Sequence, residues 1–106
     1  MTISITIREA NLKNSGIDLS RHMSFFPIDS HGGRNKDYLG KTITLIFSGI
    51  NEDIQTDIDE TKKVFRSARG HLRRFYEHFN YSVGDVVYIT KITDRVYKIS
   101  NTKPDK

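Results

Sequence analysis

Only one window of this 106-residue chain has the periodicity of a helix. Between residues 68 and 79 the apolar side chains Leu72, Phe75, Tyr76 and Phe79 recur at i, i+3, i+4 and i+7. That spacing stacks them on one helical face. Arg69, Arg73, Arg74 and Glu77 fall off the face, and Asn80 suits the left-handed residue that ends a helix. The rest of the periodic sequence repeats every second residue. The opening TISITI, residues 2–7, alternates strictly, as a half-buried strand does. Residues 42–48 (TITLIFS) and 86–92 are rich in β-branched side chains and read as strands. Gly84-Asp85 turns the chain into the second of these, and residues 93–95 turn it out again into a closing strand over 96–100.

Shorter strands are expected at 22–26, ended by Pro27, at 54–58 and at 63–66. A short helix fits residues 8–15, stopped by Gly16, and residues 27–41 form a long polar loop. Residues 101–106 are polar and are expected to fray or to lead into a linker. A parallel α/β sheet would need a helix between successive strands, and these are missing. The predicted fold is therefore mainly β: a seven-stranded open β-barrel with one or two short helices, in one domain spanning residues 1–106.

Composition narrows the function classes. Seventeen Lys and Arg oppose 13 Asp and Glu, a net charge of +4, and such a field draws polyanions. The absence of cysteine excludes disulfides and zinc–thiolate sites and favours an intracellular, cytoplasmic setting. No stretch approaches the ~20 apolar residues of a membrane span, and residues 1–7 alternate where a signal peptide would carry an apolar block. Of the histidines His22, His31, His71 and His78, no pair has metal-ligand spacing with supporting carboxylates, so no metal is expected. Pro27-Ile-Asp29 followed by Glu60-Thr-Lys62 imitates the PD…ExK arrangement of Mg²⁺-dependent nucleases. Such catalytic cores need a mixed sheet flanked by helices, which this chain lacks, so solvated loop charges are the better reading. No phosphate-binding or dinucleotide fingerprint is present, and no cofactor is expected.

The basic and polar residues gather in two clusters. The first holds Ser20, Arg21 and His22, then Ser30, His31, Gly33, Arg34, Asn35 and Lys36. It mixes donors, acceptors and glycines on a long loop, the usual means of meeting base edges and phosphates. Gly32-Gly33 reads equally as a flexible hinge or as a place for close backbone approach. The second cluster is Lys62, Lys63, Arg66, Ser67, Arg69, Arg73 and Arg74, running from a strand into the start of the helix. Positive charge there opposes the helix dipole, a penalty that a phosphate ligand would relieve. The aromatic residues fall on strands and on the helix face, leaving no exposed series for stacking single strands.

From residue 42 onward the order of elements resembles the B3-like DNA-binding domain of plant transcription factors and of restriction-endonuclease target-recognition domains. The residues that carry the likeness are the strand Ile43-Thr-Leu-Ile-Phe47, a short paired strand, and the helix Leu72-Arg-Arg-Phe-Tyr-Glu-His-Phe79. The turn Val83-Gly84-Asp85 and the strands at 86–92 and 96–99 complete it. Upstream, the stretch from Arg21 to Asn35 looks like the restriction-enzyme branch, as do Gln55-Thr-Asp-Ile58, Val64-Phe-Arg66 and Arg69-Gly70. The likeness covers residues 17–100. It implies structural roles for Phe75, Phe79, Gly84 and Asp85. It also implies two arms gripping the DNA major groove, the first at about residues 20–36 and the second at about 57–70.

On this reading the partner is double-stranded DNA, bound at a specific site. Arg21, His31, Arg34 and Asn35 read bases from the first arm; Asp57, Asp59, Lys62, Arg66, Ser67 and Arg69 read them from the second. Asp57 or Asp59 would accept from a cytosine amino group, and Lys36, Lys63 and Arg73 would touch phosphates. The domain itself would not cleave; a nuclease would be another domain or another chain. The alternatives are an RNA-binding β-barrel, whose ligand has too narrow a major groove for such arms, and a small Mg²⁺-dependent nuclease.

Overall fold

The computed structural model describes residues 1–104. Eight strands and two α-helices follow one another as β1 (Thr2–Thr6), α1 (Glu9–Asn14), β2 (His31–Gly32), β3 (Ile43–Phe47), β4 (Glu52–Thr56), β5 (Ile58–Asp59), β6 (Val64–Phe65), α2 (Arg69–His78), β7 (Val86–Thr93) and β8 (Val96–Ser100). They form two sheets, one of five strands in the order β1-β7-β8-β3-β4 and one of three in the order β2-β5-β6. The chain is thus mainly β, with one strand more than the sequence suggests and in two sheets. Among the described residues no helix is long and apolar enough to cross a membrane.

The alternation of the strands decides which face is buried. Ile43, Leu45 and Phe47 of β3 are buried, as are Val87 and Ile89 of β7 and Tyr97 and Ile99 of β8. In register, Ile3 stands opposite Ile89, Ile89 opposite Ile99, and Ile99 beside Phe47. One apolar row therefore crosses four strands. Helix α2 lays Leu72, Phe75 and Tyr76 against this face. Its first turns are tied to β4 at the surface, where Arg74 Nε donates to Glu52 Oε2 at 2.8 Å and His71 Nδ1 lies 2.6 Å from Glu52 Oε1. The helix ends as expected, with Asn80 left-handed at φ 52°. The Tyr76 hydroxyl donates to the Gly16 carbonyl at 2.6 Å, joining α2 to the end of α1.

Four local expectations are corrected. Residues 22–26 are not a strand but enclose a 3₁₀ turn, Met23–Phe25. In a strand, neighbouring side chains point to opposite faces. Here Phe25 and Phe26 both reach Tyr97, with ring centroids 5.7 and 4.8 Å away, and only a turn allows that. Helix α1 stops at Ser15, left-handed at φ 53°, rather than at Gly16. The single strand expected at 54–58 is cut at Asp57, where the chain passes from the large sheet to the small one. Within the expected loop 27–41, His31 and Gly32 form a strand that pairs in parallel with Ile58 and Asp59. Of the tail expected to fray, residues 105 and 106 lie outside the described residues.

Candidate nucleic-acid interface

The small sheet brings the loop after β2 and the β5–β6 turn, each carrying part of one basic cluster, side by side. His31 pairs with Ile58 and Gly32 with Asp59, and the Glu60 amide donates to the Gly32 carbonyl at 3.0 Å. Beyond β2 the chain makes a closed loop, in which the Gly33 amide donates to the Tyr38 carbonyl at 2.5 Å. Asn35 Oδ1 accepts the Asp37 amide at 3.0 Å. Arg34, Asn35 and Lys36 stand exposed at its tip. The β5–β6 turn opposite is as tight. Asp59 Oδ1 accepts the amides of Thr61 and Lys62 at 3.0 and 3.1 Å, and Lys63 is left-handed at φ 58°.

Between the two loops lies a groove of about 620 Å³. Five basic side chains line it, Arg34, Lys36, Lys62, Arg66 and Arg69, against one carboxylate, Asp59. Asn35 lies among them, and Val64 and Phe65 form part of the wall. A cleft lined by one sign of charge focuses the field and raises the local concentration of an anionic ligand.

One of the five cations, Arg66, is also paired with Asp57. Arg66 Nε donates to Asp57 Oδ1 at 2.7 Å and Arg66 Nη2 to Asp57 Oδ2 at 3.0 Å, a two-pronged pair. The same Nη2 donates to the Gly33 carbonyl at 2.5 Å, and the Gly40 amide donates to Asp57 Oδ2 at 2.8 Å. The Asp57 side chain is only 4% exposed and that of Arg66 16%. Burial alone would favour the protonated acid. The hydrogen bonds from Arg66 and Gly40 outweigh it and hold the Asp57 carboxyl below its usual range. Gly32 is required beside this pair, because a Cβ there would lie 2.6 Å from the Gly40 nitrogen and 2.8 Å from Arg66 Nη2.

The other sequence candidates are scattered. Ser30 is buried and its hydroxyl donates to the Pro27 carbonyl at 2.6 Å, while His31 Nε2 lies 3.0 Å from the Met23 carbonyl oxygen. Both, with Gly33, build the first loop instead of lining the groove. Ser20, Arg21 and His22 line a separate polar recess of about 210 Å³ together with Arg8 and Asp18. The Ser20 amide, with Arg8 and Arg21 nearby, holds the Asp18 carboxyl below its usual range. Ser67 is exposed, and its amide donates to Thr56 Oγ1 at 2.9 Å. Arg73 lies on the far flank of α2, beside Leu12, Lys13 and Glu77. Arg74, counted with the second cluster, is engaged by Glu52.

Of the nuclease-like pattern, Asp29 is held by Arg95 at 2.5 Å, whose hydrogen bond lowers the Asp29 pKa. Among the described residues no three His, Asp or Glu side chains come together to hold a metal ion. The groove has one wall that sequence reasoning missed. Asn14, Ser15 and Gly16, at the end of α1, line it, and Arg69 Nε donates to the Asn14 carbonyl at 3.0 Å. The run Asn-Ser-Gly signals a helix stop, but nothing in the sequence places that stop opposite Arg69.

No protein-family model matches this chain, and no curated protein matches it. Among solved structures, the N-terminal domain of Helicobacter pylori LlaJI.R1 is similar to it with a TM-score of 0.64. The match covers 94% of this chain and 85% of that one at 12% sequence identity. At that identity the likeness is one of fold: this chain is built on the same scaffold as the LlaJI.R1 N-terminal domain.

Proposed function

We propose that this chain is a sequence-specific, duplex-DNA-binding module of the B3-like kind, a target-recognition domain that does not itself cleave. The observation that carries the reading is the groove between two short loops on adjoining strands. Five cations meet there with an exposed Asn and a single carboxylate. The fold shared with the LlaJI.R1 N-terminal domain supports it at the level of the scaffold. On this reading the two sheets act as an open pseudobarrel and the loops are its arms, entering the major groove. The partner is cellular DNA in the cytoplasm, and cleavage belongs to a linked domain or a separate chain.

Arg34 and Asn35 are the base readers of the first arm, since both are exposed at its tip. Guanine suits Arg34 and adenine suits Asn35. Lys62 and Arg69 face them across the groove, and Lys36 and Lys63 are assigned to phosphates. Selection from a randomised duplex library, followed by titration of the selected and scrambled duplexes at several salt concentrations, tests the proposal. If roughly six phosphates are neutralised, the logarithm of affinity should fall against that of salt with a slope of about −5. Equal affinity for duplex RNA of the same sequence would favour the RNA-binding alternative, and Mg²⁺-dependent cutting by this domain alone would sink the non-catalytic reading.

A further inference from the structure

We infer that Asp57 and Arg66 are positioning residues, which set the separation of the two arms and so the base specificity without touching DNA. The inference rests on the function proposed above and assigns these two residues a role different from base reading. Arg66 belongs to the second arm, yet its guanidinium donates to the Gly33 carbonyl at 2.5 Å and makes a longer contact, 3.4 Å, to that of Arg34. The Gly33 carbonyl lies at the root of the first arm. Asp57 takes both prongs of Arg66 and, through the Gly40 amide, holds the chain where it leaves the first arm. One ion pair thus grips the first arm at entry and exit and fixes both ends to the second.

The geometry also argues against direct readout. A bidentate contact to guanine needs the guanidinium edge free. Here that edge is occupied by carboxylate and carbonyl oxygens, and the Asp57 side chain is almost fully buried. Breaking the pair to reach a base would strand a buried carboxylate, whose unpaired charge is costly in a dry setting. The missing Cβ of Gly32 leaves the space in which the pair closes. A base reader must hold its geometry tightly to discriminate, and the tip residues Arg34 and Asn35 inherit theirs from this support.

The test compares wild type, Asp57→Asn and Arg66→Lys on the duplex that wild type selects and on a scrambled one, below the melting temperature of each variant. Asp57→Asn keeps an acceptor for Arg66 but loses the charge; Arg66→Lys keeps the charge but loses the fork. Both variants are expected to bind scrambled DNA with the wild-type salt slope while the specificity ratio falls about tenfold or more. The losses should spread over the positions read by Arg34 and Asn35, and the double variant should be no worse than either single one. Amide exchange in the DNA-free protein supplies a second reading: the Gly33 and Gly40 amides should exchange faster in Asp57→Asn. An Asp57→Asn variant with an unchanged ratio, or an Arg66→Lys loss confined to a single base pair, the mark of a base reader, would overturn the inference. A wild-type chain that discriminates between no duplexes fails the proposed function itself and takes this inference with it.

Discussion

Asp57 and Arg66 meet in a two-pronged ion pair that also reaches the Gly33 carbonyl and the Gly40 amide. A carboxylate at the break between β4 and β5 and a guanidinium just past β6, nine residues on, cannot be recognised as a pair from spacing alone. The acid stability of the protein should report their union. The Asp57 carboxyl is held below its ordinary value of 3.8, so its stabilising contribution is complete above that value. It is lost as pH falls through the lowered folded-state pKa. Urea midpoints measured between about pH 5 and pH 2 should therefore fall, and the fall should be shallower in Asp57→Asn; equal slopes would mean that other carboxylates set the acid limb. Glycine offers a second contrast. Gly32→Ala forces a methyl against the Gly40 nitrogen and Arg66, where overpacking costs about 1–3 kcal/mol. Gly16 has no atom within 4 Å of an added Cβ and no positive φ, so Gly16→Ala should change the melting temperature little.

Elements with clean periodicity were legible: the helix face of Leu72, Phe75 and Tyr76 and the buried side of β3 both match their pattern. Elements whose geometry answers to a distant partner were not. Residues 22–26 carry β-rich side chains yet turn, because two adjacent rings must both meet Tyr97. The two-residue strands β2, β5 and β6 are too short to repeat anything. For α2 the expected outcomes separate by face. Phe75 is fully buried, and Phe75→Ala should cost about 3–5 kcal/mol in chemical denaturation without changing which duplex is preferred. Arg73 lies on the outer flank away from the groove. If it meets a phosphate, Arg73→Ala should weaken cognate and scrambled duplexes alike and lower the salt slope by about one. Arg34→Ala should instead cost about 1–3 kcal/mol on the cognate duplex and far less on the scrambled one.

Across the whole molecule, the large sheet is joined by a pairing between distant parts of the chain: β8 lies parallel to β3, with Ile99 beside Phe47. Everything between them, the second arm and α2 included, is a single excursion from one strand to its neighbour. The fourth and fifth strands of the large sheet cannot dock in their final order until that excursion has folded back. Loop closure on this scale is entropically expensive and is recovered only at the end. The topology therefore predicts that the second arm and α2 form together with the large sheet rather than on a preformed platform. A chain ending before Val96 should lose the cooperative thermal transition altogether, as a circular dichroism melt would reveal. In a longer polypeptide, a ribosome would have to release β8 before the large sheet could reach its full order, and under the function proposed above a nascent chain would stay blind to DNA until that strand had been made.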